Sequence, residues 1–495
     1  MRPVQIVLII TDSQRKDMVG CYGLPQMITP NLDRLAADGV RYARAYTCQP
    51  VCSPARSALF TGLWPHSNGV WANSMGLSAN VVTVAQRLSG HGILCGYIGK
   101  WHLDGSDYFG LGHAAPGWEP RTWYDMRNYL DELQPAERRL SRRPASNAGP
   151  GISDEFTFAH RCSDRAVDFV QRHTDDSYLL VVSYDEPHHP HLAPRRFRQP
   201  YESFAWNPHY RAYDDVASKP EHQRLWSLDA QRSGPAPGAT VLDYLACNSF
   251  VDHEIGRVVA AIDAWAPGSL VIYTSDHGEF LGSHSLALKG PAMYEEITNI
   301  PLIVRWPGRA PAGAVSEQLA SHIDITPTIL DVFGLPAPRW CDGRSMRSSF
   351  MMPEVALNDL IFAEFGRYET DHDGFGGFQP ARSCFDGRYK LVINLLSTDE
   401  LYDLEVDPAE TANLIADPSL SDTRSRLHRE LLEWMDRTRD PFRGYYWLDR
   451  PWPGAKRERM WSYNGMTRQR ENEEYEPRQL DYETGMEMVD ATRPK

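Results

Sequence analysis

Residues 4–10, VQIVLII, form a largely apolar, β-branched run that ends at Thr11-Asp12. Such a run, lacking regular polar alternation, predicts a strand covered on both faces. The pattern then turns helical. In residues 29–40, TPNLDRLAADGV, the side chains of Leu32, Leu35 and Ala36 share a face, Thr29 can cap, and Pro30 suits the first turn. Residues 81–92, VVTVAQRLSGHG, predict a helix stopped by Gly90 and Gly92. Residues 93–102, ILCGYIGKWH, predict a short strand ending in Lys100-Trp101-His102. Residues 153–173 read as an amphipathic helix capped by Ser153, and residues 178–191, YLLVVSYDEPHHPH, as a strand entering a proline–histidine loop. A long helix over 241–265 precedes a strand, SLVIYTSDHGE, that ends in Asp276-His277.

This alternation predicts an α/β fold, a mostly parallel central sheet flanked by helices. Residues 195–238 show no clear period and mix Arg, Trp, Tyr and Pro, which predicts a long functional loop, a lid or pocket wall. Past about residue 375 the pattern changes. Residues 388–396 and 399–408 read as antiparallel strands and 421–438 as a helix. The expected organisation is an α/β domain over 1–375 and a smaller C-terminal α+β subdomain over 376–495. The last 50 residues, rich in Trp, Tyr, Arg and Glu, follow no readable pattern.

Composition narrows the function. The 495-residue chain carries a net charge of −14, the wrong sign for a nucleic-acid binder. An anionic substrate would need a local positive pocket against that field. The run at 4–10 is too short to span a bilayer, and the charges at Asp12, Arg15, Lys16 and Asp17 do not suit a signal peptide. No membrane association and a cytoplasmic location are therefore expected. The eight cysteines lack paired spacing and are expected to be free and mostly buried in a reducing compartment.

The chemistry concentrates at strand ends, where open α/β sheets bind ligands. One strand delivers Asp12, another Lys100 and His102, a third His188, His189 and His191, a fourth Asp276 and His277. Singly, each has a plain explanation: a strand-end Asp caps a helix and a loop His is solvated. Four coincidences point to one shared site. Asp12 and Asp276 offer hard oxygen ligands suited to Ca²⁺ or Mg²⁺, and His277 could add a nitrogen. Arg56, Lys100 and Lys289 could clamp a tetrahedral oxyanion. Cys52 stands before an expected helix start at Ser53-Pro54, in a turn read as facing the surface, where an anion would be favoured. The set reads as a site for sulfuryl or phosphoryl transfer.

The stretch CSPAR (52–56), followed by SALFTGLWPHSNGV, resembles the signature of type I sulfatases, whose cysteine is oxidised to Cα-formylglycine (3-oxoalanine). GKWHL (99–103), SYDEPHHPHLAP (183–194), YTSDHGEFLGSH (273–284), LKGPAMYEEITNIPLIV (288–304), HIDITPTILDVFG (322–334) and DELYDLEVDPAETANL (399–414) also resemble family segments, in order, over about residues 4–415. The resemblance implies an alkaline-phosphatase-like fold and hydrolysis of an organic sulfate ester. The hydrated aldehyde made from Cys52 would attack sulfur and form a covalent sulfate hemiacetal. It further implies His102 as the base for collapse of that hemiacetal, His188 as the acid for the leaving alcohol, and Arg56, Lys100 and Lys289 as cations on the transferring group. The implied metal ligands are Asp12, the modified Cys52, Asp276 and His277, with Ca²⁺ ahead of Mg²⁺ or Mn²⁺. One departure stands out: where family members carry Asp-Asp or Asp-Gln, this chain has Asp12-Ser13-Gln14 and one carboxylate fewer than the Asp-Asp form.

A small anionic sulfate ester, a sulfated carbohydrate, is the expected substrate, and a formylglycine-modifying enzyme the expected partner. Homo-oligomerisation is left open. The nearest alternative is a phosphonate monoester or phosphodiester hydrolase of the same superfamily. A non-catalytic binding protein and a cysteine-thiol hydrolase are the others.

Overall fold

The computed structural model describes residues 3–105, 108–143, 152–205, 216–233, 237–369, 378–452 and 485–486. The first apolar run forms β1 (Gln5–Asp12), buried at every position. Seven further strands join it: β2 (Val40–Tyr46), β3 (Leu94–Gly99), β4 (Tyr178–Pro187), β5 (Leu270–Ser275), β6 (Asn299–Ile300), β7 (Leu302–Arg305) and β8 (Ala314–Ser321). The sheet order is β3-β4-β1-β5-β7-β2-β6, with β8 beside β2. The β3, β4, β1 and β5 strands run parallel, while β7 is antiparallel to both β5 and β2.

Alternate residues of β1 explain why its sequence is apolar throughout. Val7 and Ile9 enter a core with the helices Phe158–Arg172 and Pro237–Trp265. Ile6, Leu8 and Ile10 enter a second core with the helices Cys52–Thr61, Val84–Ser89 and Ile325–Val332. Each face buries one half of the pleat.

Several local expectations need correction. Ser153 precedes a 3₁₀ turn, Asp154–Phe156, and the long helix is capped by Thr157, whose hydroxyl accepts from His160 N at 3.3 Å. Thr29 occupies the N-cap position, but its hydroxyl accepts from Gly20 N (2.8 Å) and so serves the preceding turn. The described part of 195–238 is largely helical, with Arg195–Arg198, Glu221–Ser233 and the start of the long helix at Pro237. Trp226 on the second of these is buried and packs edge-on against Phe280, with centroids 5.4 Å apart, so this segment walls the region of Gly290. Residues 206–215 and 234–236 of that stretch, and nearly all of the last 50 residues beyond Trp452, lie outside the described residues.

A second, wholly antiparallel sheet has the order β12-β11-β10-β9: β9 (Ile361–Phe365), β10 (Ala381–Phe385), β11 (Tyr389–Asn394) and β12 (Glu400–Asp403). It draws residues from both sides of position 375. The helix Ser421–Arg437 covers it through Leu427, Leu431, Trp434 and Met435. Trp434 stacks on Phe362 (4.8 Å, 3°) and meets Trp64 edge-on at 5.0 Å. Trp64 follows directly on the helix that begins at Cys52, and the next turn is tied to β9 by an ion pair between His66 and Glu364. The small sheet thus braces the helix that carries Cys52. Trp434→Ala should cost about 3–5 kcal/mol through the cavity it leaves, with Trp434→Phe costing less. Thermal denaturation of the two variants checks this, and equal melting temperatures would contradict it. Among the described residues, no helix is long and apolar enough to cross a membrane.

Candidate active site

The four strand ends meet because β3, β4, β1 and β5 are adjacent and parallel, which sets their carboxyl ends on one edge. Asp12 closes β1, Lys100 follows β3, His188 follows β4, and Asp276-His277 follow β5. Local backbone demands shape the motif around Lys100. Gly99 has φ +121°, and a Cβ there would lie 1.9 Å from the Ser183 carbonyl oxygen. Only glycine lets the chain cross β4 closely enough for Lys100 N to donate to that oxygen at 2.7 Å. Cys52 opens the ten-residue helix Cys52–Thr61, whose Ser53 N donates to Asn73 Oδ1 at 2.9 Å. The thiol is 1% exposed, so this turn faces inward, because the four strand ends close over it.

Donor atoms of Asp12, Cys52, Asp276 and His277 all lie within 4.8 Å of one another, and all four residues are buried. Cys52 Sγ is 3.2 Å from His277 Nε2 and 3.8 Å from Asp12 Oδ1. His277 Nδ1 is 2.9 Å from the Gly278 carbonyl oxygen, which can only accept, so Nδ1 carries the proton. The Nε2 lone pair therefore faces the cluster, the arrangement a metal-ligating histidine needs. Burial and the neighbouring Asp12 push the Asp276 carboxyl up. Asp12 is held well below the usual carboxylate range: burial opposes this, but Lys100, His188 and Arg56 outweigh it. Two carboxylates so close are jointly ionised only beside compensating positive charge. The donor set therefore fits a hard divalent cation.

Arg56 already spans both carboxylates. Its Nη2 donates to Asp12 Oδ2 (3.0 Å), its Nε to Asp276 Oδ2 (3.1 Å), and its Nη1 to the Lys100 carbonyl (2.8 Å) and Ser183 Oγ (2.7 Å). Lys100 Nζ has three acceptors for its three protons: Asp12 Oδ2 (2.8 Å), Asp185 Oδ1 (3.0 Å) and Tyr108 Oη (2.7 Å). Lys289 Nζ donates to His188 Nε2 at 2.9 Å and lies 3.5 Å from Ser13 Oγ. Burial, and then Lys289 and further cationic neighbours, hold His188 well below its ordinary pKa. His102 is lowered too, by burial and then by Lys100 and Arg56. Its Nδ1 is buried without a hydrogen-bond partner among the described residues, and its backbone is left-handed at φ 56°. Burial and Asp12 raise the Cys52 thiol, against Lys289, Lys100 and Arg56, so the unmodified side chain is a neutral thiol and a weak nucleophile.

The structure thus gathers Asp12, Cys52, Arg56, Lys100, His188, Asp276, His277 and Lys289 in one buried cluster. His102 stands beside it, its ring 4.9 Å from that of Tyr108. His191 turns away: its Nδ1 donates to the Pro187 carbonyl and its ring packs on Tyr244. The departure at residues 13–14 resolves into two roles. Gln14 points away, accepting from Thr11 Oγ1 (3.0 Å) and donating to Asn248 Oδ1 (2.8 Å). Ser13 stays at the cluster, where its Oγ donates to Asp12 Oδ1 (2.9 Å) and its N to Asp276 Oδ1 (3.1 Å). Sequence reasoning missed Asp185, Tyr108 and Ser183 as partners of Lys100 and Arg56. Asp185 and Ser183 lie inside the SYDEPHHPH stretch and could have been singled out as polar residues in a buried strand. Tyr108 carries no such signal.

Residues 5–335 match the family model described as Sulfatase, and residues 282–437 match the one described as N-sulphoglucosamine sulphohydrolase, C-terminal. Over 498 residues the chain is 43% identical to the Escherichia coli protein named "Uncharacterized sulfatase YidJ", covering 98% of this chain and 97% of that one. Its fold resembles that of a protein solved in complex with its substrate D-glucosamine-2-N,6-O-disulfate (TM-score 0.71, 20% identity, 89% of this chain and 99% of the other). It also resembles the phosphonate monoester hydrolase of Agrobacterium radiobacter (TM-score 0.73, 24% identity, 88% and 96%).

Proposed function

The chain belongs to the sulfatase family, and from that premise we propose that it hydrolyses the sulfate ester of a small sulfated carbohydrate, with formylglycine made from Cys52 as the nucleophile. The observation that carries this reading is the position of residue 52. It sits between a hard-ligand set (Asp12, Asp276, His277) and the cations Arg56, Lys100 and Lys289. Arg56 and Lys100 offset Asp12, Asp276 and Asp185, so that Lys289 and a divalent cation in the ligand set would supply the local positive charge that a chain of net charge −14 needs to receive an anion.

Residue 52 as a hydrated aldehyde offers two hydroxyls, one to attack sulfur and one to let sulfate leave again. A divalent cation held by Asp12, Asp276, His277 and residue 52, with Ca²⁺ favoured, would supply Lewis-acid charge to the reacting group. The chain's own residues do the rest. Arg56 fixes the two carboxylates relative to each other. Lys100 and Lys289 place positive charge where the transferring group develops negative charge. His188 and Lys289 hold a proton between them, on the side from which the leaving alcohol departs. His102, kept neutral by burial and its cationic neighbours, suits the base that lets sulfate go. None of the eight cysteines is paired in a disulfide, which suits the cytoplasm and, with it, a small substrate over an intact polymer.

The test is a substrate panel. Sulfated mono- and disaccharides, an aryl sulfate and an aryl phosphonate monoester are compared on protein of known aldehyde content. The expected outcome is a kcat/KM on at least one sugar sulfate well above that on the phosphonate. The reverse order would assign the chain instead to phosphonate monoester or phosphodiester hydrolysis, which the structural likeness to such a hydrolase keeps as the second reading.

A further inference from the structure

We propose that Tyr108 is a positioning residue for leaving-group protonation: it links the Asp185 carboxylate to His188 and holds that imidazole as the Nδ1–H tautomer, with Nε2 turned to Lys289 and the leaving oxygen. The inference rests on the reading of the site as an ester hydrolase and adds a residue outside the family motifs.

The hydrogen-bond accounting leaves one arrangement. His188 Nδ1 lies 2.8 Å from the His189 carbonyl oxygen and 3.1 Å from Tyr108 Oη. The carbonyl can only accept, so Nδ1 donates and carries the proton. His188 Nε2 is 2.9 Å from Lys289 Nζ, an ammonium that can only donate, so Nε2 holds a lone pair. Tyr108 Oη receives a proton from Lys100 Nζ at 2.7 Å and faces the Nδ1–H. Its own proton therefore goes to Asp185 Oδ1, 2.6 Å away. Asp185 is in turn fixed by Lys100 at 3.0 Å and by Arg142, Nη1 to Oδ2 at 3.9 Å. The chain Asp185–Tyr108–His188 is thus oriented from a carboxylate to an imidazole, with every proton placed.

This geometry bears on one step. As the ester O–S bond breaks, its electron pair stays on the alcohol oxygen, which takes the proton shared by Lys289 Nζ and His188 Nε2. The hydrated aldehyde gives up two protons over the cycle, one as its hydroxyl oxygen bonds to sulfur and one as sulfate leaves; one of these, carried by solvent, restores the Lys289–His188 pair, and water re-hydrates the aldehyde. While His188 gives or takes the proton at Nε2, the Nδ1–H must stay in place. Tyr108 Oη, backed by the Asp185 charge, shares that proton with the His189 carbonyl and is the side-chain half of the acceptor pair that keeps it there. The Tyr108 ring also fixes the lateral position of the imidazole, with centroids 5.6 Å apart.

Tyr108→Phe keeps the ring and removes only the hydroxyl. The variant is compared with wild type over sulfate esters of graded leaving-group acidity, at matched aldehyde content. For an alkyl sulfate, whose alcohol must be protonated to leave, kcat should fall on the order of tenfold to a hundredfold with KM nearly unchanged. For 4-nitrophenyl sulfate, whose phenolate leaves unaided, the fall should stay within about threefold. An equal loss across the series, or none anywhere, overturns the proposal, and an equal loss with a lowered melting temperature assigns Tyr108 to packing. The wild-type arm tests the underlying reading separately: no turnover of any sulfate ester sinks that reading alone. A readout free of turnover remains in that case. Long-range ¹H–¹⁵N spectra of histidine-labelled protein, with His188→Gln for assignment, should show His188 protonated at Nδ1 in wild type and a shifted tautomer balance in Tyr108→Phe. Protonation at Nε2 in wild type, or identical spectra in the two proteins, contradicts it.

Discussion

Cys52→Ala should abolish turnover, by on the order of 10⁴-fold or more, while the protein remains folded. Cys52 lies in the first turn of its helix, so alanine there costs no helix propensity and removes one sulfur atom. The thiol is buried, so a small cavity results, and the stability cost should be about 1–2 kcal/mol. That loss is small beside a core held by an eight-stranded sheet, and circular dichroism should match wild type. The functional loss has a different origin. The thiol sits 3.2 Å from His277 Nε2 and 3.8 Å from Asp12 Oδ1, and alanine leaves no atom at that point to carry the attacking oxygen. Wild-type preparations should differ among themselves for the same reason. The aldehyde is lighter than cysteine, having lost sulfur and two hydrogens and gained one oxygen, and peptide mass spectrometry over residues 45–56 measures the converted fraction. Specific activity should rise in proportion to that fraction. Unmodified protein that turns over sulfate esters as fast as converted protein would overturn the mechanism and point to a thiol hydrolase.

The strand ends were legible for a physical reason. A buried parallel strand has no use for a charged side chain along its length, so Asp12, Lys100, His188 and Asp276 stand out where apolar runs stop. The sequence cannot say which runs are neighbours, since that depends on the order β3-β4-β1-β5, but ligand sites at carboxyl edges make the inference safe without it. Where order matters, reading fails. Tyr108 lies in an aperiodic loop after β3, and its partners Asp185 and His188 belong to β4 and the turn beyond it; only the adjacency of those two strands joins them. The inward-facing thiol was missed for a similar reason. A polar turn with Ser and Pro reads as surface until four strand ends converge upon it. The helix Glu221–Ser233 escaped detection because its charged and apolar residues follow no strong stripe; its buried Trp226 is committed to Phe280, far along the chain. The cap at Ser153 was misplaced by a single 3₁₀ turn, a local choice that Thr157 wins by reaching His160 N.

Asp276→Asn and Asp12→Asn should each lower kcat/KM on the order of a hundredfold to a thousandfold and release the divalent cation. Asparagine preserves shape but alters two things, charge and donor sense. Asp276 accepts at both oxygens, from Ser13 N (3.1 Å) and His277 N (2.8 Å) at Oδ1 and from Arg56 Nε (3.1 Å) at Oδ2. Asp12 accepts from Ser13 Oγ (2.9 Å) at Oδ1 and from Arg56 Nη2 (3.0 Å) and Lys100 Nζ (2.8 Å) at Oδ2. Either amide must turn an NH₂ group toward existing donors, which disturbs Arg56 and, through it, the remaining carboxylate. The loss of charge is felt more strongly here than in an Asp-Asp site, because Ser13 supplies no negative charge to compensate. Metal analysis of dialysed protein, alongside kinetics at matched aldehyde content, separates the contributions. Wild type stripped with EDTA should lose activity and recover it with Ca²⁺ more fully than with Mg²⁺, whereas either Asn variant should stay depressed at saturating Ca²⁺. Retention of full activity by a variant whose metal content is unchanged would remove that carboxylate from the ligand set, and recovery of either variant to the wild-type rate at high Ca²⁺ would limit its role to affinity.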